Sequence, residues 1–156
     1  MAATVARQQG EGRAFWMLGG IYELLVSAEE TDGEATVMRM TVAPGTGPPP
    51  HTHPGAETVY VLSGTLQYFI GDDKFDGVPG SVFRIPAGVV EHFEATGDTN
   101  LQVLVTYTPG GIENFFAEAG EPAQTRELPP PSDTPPDLAR IAEIGSRYGM
   151  DIQVPG

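Results

Sequence analysis

Hydrophobic and polar positions alternate over short stretches between residues 15 and 107, and this period of two predicts β-strands. Turn residues, mainly glycine, proline and aspartate, separate the stretches at regular intervals. The predicted strands are 15–18, 21–26, 35–42, 58–62, 65–70, 81–85, 91–95 and 101–107. Short strands at this spacing indicate an all-β sandwich or barrel.

After Pro109 the period changes to that of a helix. Gly120 and Pro122 end this first predicted helix. Apolar residues recur in it with a spacing of i, i+3, i+4 and i+7, which places them on one face: Ile112, Phe115, Phe116 and Ala119.

A proline-rich stretch, residues 128–136, predicts a stiff extended linker before a second helix. We expect Thr134 to be the N-cap of that helix, with Pro135 at its first position and Asp137 in its first turn. Gly149 lies beyond its end. Its apolar face consists of Leu138, Ile141, Ala142 and Tyr148. This face must be buried, and we expect it to pack on the outside of the barrel, with a partner subunit as the alternative.

These elements divide the chain into three predicted segments. Residues 1–14 are small and polar and form a flexible lead-in, residues 15–109 form the barrel, and residues 110–156 form a helical extension that packs on it. The length of 156 residues fits one domain.

The amino-acid composition and the net charge limit the classes of fold and function that fit this chain. The 20 glycines and 15 prolines suit an all-β fold with many tight turns. There is no cysteine, so a metal would have to be held by histidine and carboxylate side chains. The net charge of −13 disfavours nucleic-acid binding. No apolar segment has the pattern of a signal peptide or the length of a membrane span, so we expect a cytoplasmic protein without a membrane partner.

The candidate chemistry lies in a short segment that begins with His51 and His53. Residues two apart in a strand project to the same side. Glu57 follows a Pro-Gly break and opens the next strand, so two imidazoles and one carboxylate can meet at one point. That set holds divalent first-row metals with open coordination positions. An isolated pair of histidines is more often a surface feature, but two of the three histidines of this chain are here, and a carboxylate follows.

The side chain that completes the site can be inferred from alternation in strand 91–95. Phe93 and Ala95 form the apolar set and should face the interior. Glu91 shares their parity and His92 does not, so we expect Glu91 inside and His92 outside; a one-residue bulge would reverse this and make His92 the fourth ligand. A buried carboxylate needs a partner, so Glu91 is either a metal ligand or a general base.

The glycines around these residues complete a family pattern. The first segment reads Gly45-x5-His51-x-His53-x3-Glu57-x6-Gly64, and a second reads Gly80-x5-Pro86-x-Gly88. Both match the two cupin motifs, except that the histidine of the second motif is replaced by Glu91. The chain therefore resembles a small single-domain cupin, similar to quercetin-dioxygenase-like proteins, over about residues 16–109.

The resemblance implies a cupin jelly-roll barrel that holds one divalent transition metal: iron, manganese, nickel or zinc. The implied ligands are His51, His53 and Glu57, with Glu91 or alternatively His92. Similar small cupins are often homodimers. The predicted substrate pocket is apolar and aromatic, and about half of its candidate residues should point inward: Met40, Tyr60, Tyr68, Phe83, Phe93 and Tyr107, with Met38 beside them.

Three functions are compatible with such a site. The first is a dioxygenase that uses O2 to cleave a small oxygenated molecule such as a flavonol, phenol or polyketide, with Glu57 taking the substrate's hydroxyl proton as the resemblance implies. The second is a non-redox isomerase, cyclase or dehydratase, as in small cupins of polyketide (secondary) metabolism, in which Glu91 moves a proton. The third is a binding protein without catalysis, because one fold hosts many functions.

Overall fold

The structure is a computed structural model that describes residues 2–155. A 3-10 helix, Glu29–Thr31, follows the second strand. The strands are β1 (Ala14–Met17), β2 (Gly20–Val26), β3 (Thr36–Val42), β4 (His51–Thr52), β5 (Ala56–Ser63), β6 (Thr65–Ile70), β7 (Asp73–Gly77), β8 (Val82–Ile85), β9 (Glu91–Thr96), β10 (Leu101–Thr108), β11 (Glu121–Pro122) and β12 (Asp151–Ile152), and the helices are α1 (Ile112–Ala119) and α2 (Leu138–Arg147).

The strands form two antiparallel sheets whose inner faces share one core. The larger sheet has the order β11-β1-β2-β3-β10-β5-β8, and the smaller has the order β12-β4-β9-β6-β7. Alternate residues of the central strands are buried between the sheets, among them Met38, Val59, Val61, Tyr68, Ala95, Val103 and Val105. The predicted all-β jelly roll is confirmed.

The pattern of alternation did not predict β7. Four of its five residues are exposed, and it is an edge strand of the smaller sheet. An edge strand that buries almost nothing carries no apolar period, so its sequence looks like part of a turn.

Helix α2 begins later than the sequence suggested. Its N-cap is Asp137, whose side chain accepts a hydrogen bond of 3.0 Å from the backbone N–H of Arg140. The prediction of Thr134 as N-cap was wrong because Pro135 is itself followed by a proline, and a residue before proline is pushed out of the helical region. The first residue free of that restriction and able to cap is Asp137.

The C-terminal segment is attached to the barrel at several points. Phe116 of α1 stacks on Tyr22 of the larger sheet with ring centroids 4.7 Å apart. The buried carboxylate of Glu113 accepts hydrogen bonds of 2.6 Å from the Ala28 N–H and the Thr36 hydroxyl. Strand β12 pairs with β4, so the extension joins the smaller sheet.

The N-terminal segment, residues 2–13, contains no helix or strand but has contacts with the barrel. The Ala3 N–H donates a hydrogen bond of 2.9 Å to the Glu30 carbonyl, and Arg7 forms an ion pair of 3.1 Å with the Glu30 side chain. The three-segment division stays a prediction, and its outermost residues, 1 and 156, lie outside the described residues. No helix within residues 2–155 is long and apolar enough to cross a membrane.

The loop before β4 packs so closely on β9 that a methyl group does not fit. A Cβ atom on Gly47 would lie 1.8 Å from the carbonyl oxygen of Phe93. We expect Gly47→Ala to lower the free energy of unfolding by about 3 kcal/mol, since either β9 or the loop has to shift. Urea unfolding followed by circular dichroism measures this.

Gly45 provides a matched control two residues away. It has a positive φ of 78°, and nothing lies within 4 Å of an added Cβ. Gly45→Ala should therefore lower the free energy of unfolding by only about 1 kcal/mol, the cost of placing a side chain on a residue in the left-handed region. Equal losses in the two variants would contradict the predicted clash.

Candidate metal centre

Elements of both sheets bring four potential metal ligands together. His51 on β4 lies directly opposite Glu91 on β9. His53 follows His51 in the chain, and Glu57 enters from β5. All four side chains are buried, and one ligand atom from each lies within 4.8 Å of the others. The cluster could hold a metal ion.

The position of one proton on His51 can be read from its hydrogen bond. Its Nδ1 atom lies 2.8 Å from the carbonyl oxygen of Pro49. A carbonyl only accepts, so Nδ1 carries the hydrogen and the lone pair of Nε2 points into the cluster. Such a bond from the outer nitrogen to a carbonyl is the usual way in which a metal-binding histidine is oriented.

The distances between ligand atoms fit a divalent cation. His53 Nε2 lies 3.0 Å from His51 Nε2 and 3.0 Å from Glu57 Oε2. Two ligands each about 2.1 Å from one ion and at right angles are separated by about 3.0 Å. Glu57 Oε2 is buried and has no hydrogen-bond partner within residues 2–155, although His53 is near. The contact between His53 Nε2 and Glu57 Oε2 is therefore better explained by two lone pairs that point to one ion than by a hydrogen bond between the two atoms.

Burial changes the pKa of all four residues in the direction that favours the neutral form of each side chain. It raises the pKa of Glu57 to about 7. Burial and the neighbouring charge of Glu57 raise the pKa of Glu91 to about 8. Burial lowers the pKa of His51 to about 4 and also lowers that of His53. A divalent cation would compensate the two carboxylate charges, which are costly in a buried site without one.

Tyr68 orients the two glutamates. Its hydroxyl donates a hydrogen bond of 2.7 Å to Glu91 Oε1 and lies 3.4 Å from Glu57 Oε1. These are oxygens of both carboxylates, so the hydroxyl holds the pair in one arrangement. Tyr68 is fully buried beneath the cluster, so its position is set by the core.

We expect Tyr68→Phe to weaken Zn²⁺ binding about 10- to 100-fold, the usual effect of losing a hydrogen bond to a ligand. Competition with a chromogenic chelator measures this. Tyr107→Phe is the control, because the Tyr107 hydroxyl makes no hydrogen bond to either glutamate within the described part of the chain. Equal losses in the two variants would show that the Tyr68 hydroxyl has no special role.

His92 lies on the other side of its strand. It is half-buried on the outer face of the smaller sheet, where its ring stacks on Phe69 at a centroid distance of 4.5 Å. The side chains of β9 alternate regularly, with Glu91, Phe93 and Ala95 inside. No bulge brings His92 towards the cluster.

A cavity of about 60 Å³ opens from the four residues and is lined mainly by apolar side chains. It contains three of the predicted pocket residues, Met40, Phe93 and Tyr107. Sequence reasoning missed the others, which come from β1, β2, the loop before β4, and the C-terminal segment: Met17, Leu18, Tyr22, Pro48, Pro49, Phe115, Phe116, Ile141, Met150 and Ile152. The helical period of α1 marked its phenylalanines as a buried face but not as part of this cavity.

The other predicted pocket residues lie elsewhere. Tyr60 is 44% exposed on the outer face of the larger sheet. Its parity is opposite to that of Glu57 on the same strand, and that signal could have excluded it. Phe83 packs against the rings of Tyr68 and Phe75 and does not line the cavity. Tyr68 lies beneath the cluster rather than in the cavity wall.

Comparison with known proteins identifies the architecture. Residues 38–107 match the model of the Cupin_2 family, a cupin domain. The fold is a cupin jelly roll. The matched residues run from β3 to β10 and include the whole cluster. The helical extension lies outside this cupin match.

Solved structures share this cupin fold. An oxalate decarboxylase of Bacillus subtilis, in a single-residue variant, superposes with a TM-score of 0.64 at 20% identity, covering 73% of this chain and 32% of that one. An RmlC-like cupin from Shewanella frigidimarina has a TM-score of 0.60 at 16% identity, over 73% of this chain and 99% of the other. At these identities the likeness concerns the fold alone.

Two further relatives are more similar in sequence. A predicted oxalate decarboxylase from Thermotoga maritima has a TM-score of 0.59 at 26% identity, over 68% of this chain and 99% of that one. The germin-like protein subfamily 1 member 5 of Arabidopsis thaliana is 33% identical over 88 residues, which are 49% of this chain and 40% of that protein. The match therefore spans less than half of the germin-like relative.

Proposed function

We propose that this chain is a small metal-dependent cupin enzyme that acts on a small, uncharged, oxygenated organic molecule. The observation that carries the proposal is the convergence of four buried ligand atoms at the end of an apolar cavity. When bound, a divalent ion would supply Lewis acidity towards substrate oxygen atoms and, as iron or manganese, the redox chemistry needed to use O2.

The donor set favours particular metals. His51 and His53 offer nitrogen, and Glu57 and Glu91 offer oxygen, which suits iron, manganese, nickel or zinc better than copper(I). In this proposal Glu91 takes the place of the histidine of the second cupin motif. Two glutamates balance the charge of a divalent ion, so the centre would be neutral and weaker as a Lewis acid than one with a single carboxylate.

The cavity supports a small substrate without charge. Its volume of about 60 Å³ is far below the ~300 Å³ typical of pockets for drug-sized ligands. A phenol or an enol of a few carbon atoms fits this space better than a flavonol. No arginine or lysine within residues 2–155 lines the cavity, so a carboxylate substrate would have no cationic side chain to bind it.

The first candidate reaction is oxygenation, as in quercetinase-like dioxygenases. Here the chain's own contribution is to bind the substrate in the apolar cavity, exclude water and accept the proton of its hydroxyl group. Glu57 suits that last role because its buried carboxylate lines the cavity and its Oε2 atom has no hydrogen-bond partner within residues 2–155.

The second candidate is a non-redox isomerase, cyclase or lyase. It is favoured by Glu91, whose buried carboxylate lines the cavity and accepts a hydrogen bond of 2.7 Å from Tyr68. In this candidate His51, His53 and Glu57 would hold the metal, and Glu91 would not be a ligand but would move the proton.

Oxygen uptake separates the two candidates. The protein is loaded with Fe²⁺, Mn²⁺ or Zn²⁺ and mixed with a catechol, a β-diketone or a flavonol, while an oxygen electrode and NMR follow O2 and substrate. Consumption of O2 and substrate together, lost in His51→Ala and kept in His92→Ala, is the expected result. Turnover of the Zn²⁺ form without O2 would instead establish the second candidate. A protein that binds metal but converts nothing in the panel would count against an enzyme and favour a binding cupin.

We extend the proposal to a homodimer. Tyr60, Leu62 and Val82 are exposed apolar residues on the outer face of the larger sheet, and Tyr60 pairs directly with Val82. Burying such a patch favours association. Sedimentation velocity should give a dimer that Tyr60→Asp converts to a monomer; a monomeric wild-type protein would refute this part.

A further inference from the structure

We name the C-terminal residues 138–153 the cover. They form part of the cavity wall and also pair with the strand that carries His51. The cover consists of helix α2, the turn after it, and β12. Three of its apolar side chains, Ile141, Met150 and Ile152, line the cavity. The cover lies outside the segment that matches the cupin model.

The cover docks on the backbone of the metal-binding segment. In the β12–β4 ladder, Ile152 lies opposite His51. The Gln153 N–H donates a hydrogen bond of 2.9 Å to the Pro50 carbonyl. A Cβ on Gly149 would lie only 3.1 Å from Pro54. The cover thus runs antiparallel along the histidine segment, and this pairing sets its position relative to the cluster.

Surface contacts hold α2 against α1. Arg140 donates hydrogen bonds to the carbonyl oxygens of Ala119, at 3.2 Å, and Glu118, at 3.0 Å. The Tyr148 hydroxyl donates one of 2.7 Å to the Glu118 side chain, and Arg147 forms an ion pair of 2.6 Å with the same carboxylate. The apolar side chains of α2 therefore have a defined place over the cavity.

We propose that the cover determines the size of ligand that reaches the metal centre, with Ile141 and Met150 as specificity-determining residues. The inference rests on the proposed function, because it assumes a metal in the cluster. Both side chains are 6% exposed, and they belong to the apolar wall of a cavity of about 60 Å³. Because this volume is small, a branched side chain or a thioether takes up a large share of the space that a ligand could use. Shortening either one should admit larger ligands of the same chemistry.

Hydroxamates that differ only in size test this in the Co²⁺-loaded protein. Acetohydroxamate and benzohydroxamate present the same two oxygen atoms but carry a methyl and a phenyl group. The visible spectrum of Co²⁺ reports binding of each. We expect wild type to bind benzohydroxamate at least about tenfold more weakly than acetohydroxamate. Ile141→Ala and Met150→Ala should reduce this ratio at least about tenfold, since an apolar group that fits a pocket is favoured by one to a few kcal/mol.

Ile144→Ala is the matched control. Ile144 lies on the same helix and is equally buried, at 4% exposure, but does not line the cavity. Its replacement destabilises α2 in the same way and should leave the hydroxamate ratio unchanged. If Ile141→Ala does not fold, Ile141→Val should shift the ratio in the same direction by a smaller factor.

The outcomes separate this inference from the proposed function. A wild-type protein that takes up no Co²⁺ would refute the metal centre and the inference together. Co²⁺ uptake with equal affinity for both hydroxamates would refute the size selection alone. So would an unchanged ratio in folded, Co²⁺-loaded Ile141→Ala and Met150→Ala, or an equal change in Ile144→Ala.

Discussion

Glu91→Gln is expected to lower the affinity for a divalent metal by at least about 100-fold, more than the loss of a supporting hydrogen bond would. The amide keeps the shape of the side chain, and its oxygen can still accept the hydrogen bond from Tyr68. The amide is uncharged, however, so it does not compensate the charge of a buried cation as the carboxylate does. Elemental analysis of protein equilibrated with Zn²⁺ and calorimetric titration measure the effect.

His92→Ala is the matched control, one position along the same strand. Its ring stacks on Phe69 outside the barrel, so its loss should leave metal content and affinity unchanged. His51→Ala should abolish binding and serves as the positive control. Loss of metal in His92→Ala would contradict the register of β9. Full binding by Glu91→Gln, with loss in His51→Ala, would mean three protein ligands and a Glu91 free for proton transfer.

The second large effect concerns pH and the metal-free protein. After chelation, stability should fall as the pH rises from about 6.5 to 8, and metal should restore it. The pKa values of Glu57 and Glu91 are raised by burial to about 7 and about 8. Folded protein therefore binds more protons there than unfolded protein does, and the free energy of unfolding decreases with pH through that window. Each unit of pKa corresponds to about 1.4 kcal/mol, and the two groups together cover somewhat less than two units between pH 6.5 and 8, so the loss amounts to about 2 kcal/mol.

The histidines act in the opposite direction at lower pH. Burial lowers the pKa of His51 to about 4 and also lowers that of His53, so folded protein binds fewer protons below the usual histidine pKa of about 6.5. The contribution of the two histidines to the free energy of unfolding therefore rises with pH up to about 6.5. Below that pH it offsets the decrease that the two glutamates cause. Tyr68 and Tyr107 do not interfere, because burial raises the pKa of both hydroxyls above the range.

Thermal unfolding at pH 6.5, 7.5 and 8.5, with chelator and with Zn²⁺, tests this linkage. The difference in Tm between the two forms should widen with pH, because metal binding displaces the carboxyl protons. In a Glu57→Gln/Glu91→Gln variant the metal-free Tm should no longer fall over this range. A wild-type metal-free protein whose Tm is constant from pH 6.5 to 8.5 would show that the carboxyls ionise normally.

Local patterns were sufficient where a side chain's environment follows from its neighbours in the chain. The alternation around Phe93 placed Glu91 inside and His92 outside, because one face of β9 is buried and the register of a strand is then strongly determined. The same rule applied to β5 would have placed Tyr60 outside, since it alternates with Val59 and Val61. Aromatic residues are typical of pocket linings, but the parity of a position in a strand, and not the residue type, determines the face on which its side chain lies.

Contacts between distant segments could not be predicted. The Pro49 carbonyl that orients His51, and the Tyr68 hydroxyl between two carboxylates, depend on how strands from different parts of the chain lie beside one another. The N-cap of α2 at Asp137 was within reach of local rules, because the two prolines before it restrict the preceding backbone.

By itself the sequence determined the all-β class, the grouping of His51, His53 and Glu57, and the side of the strand on which Glu91 lies. These follow from periods of two and from short spacings, which act over a few residues. Only the tertiary structure decided the size and lining of the cavity. Ile152 lies opposite His51 although a hundred and one positions separate them in the chain, and no local period records such a pairing, because packing of the whole barrel brings the two strands together.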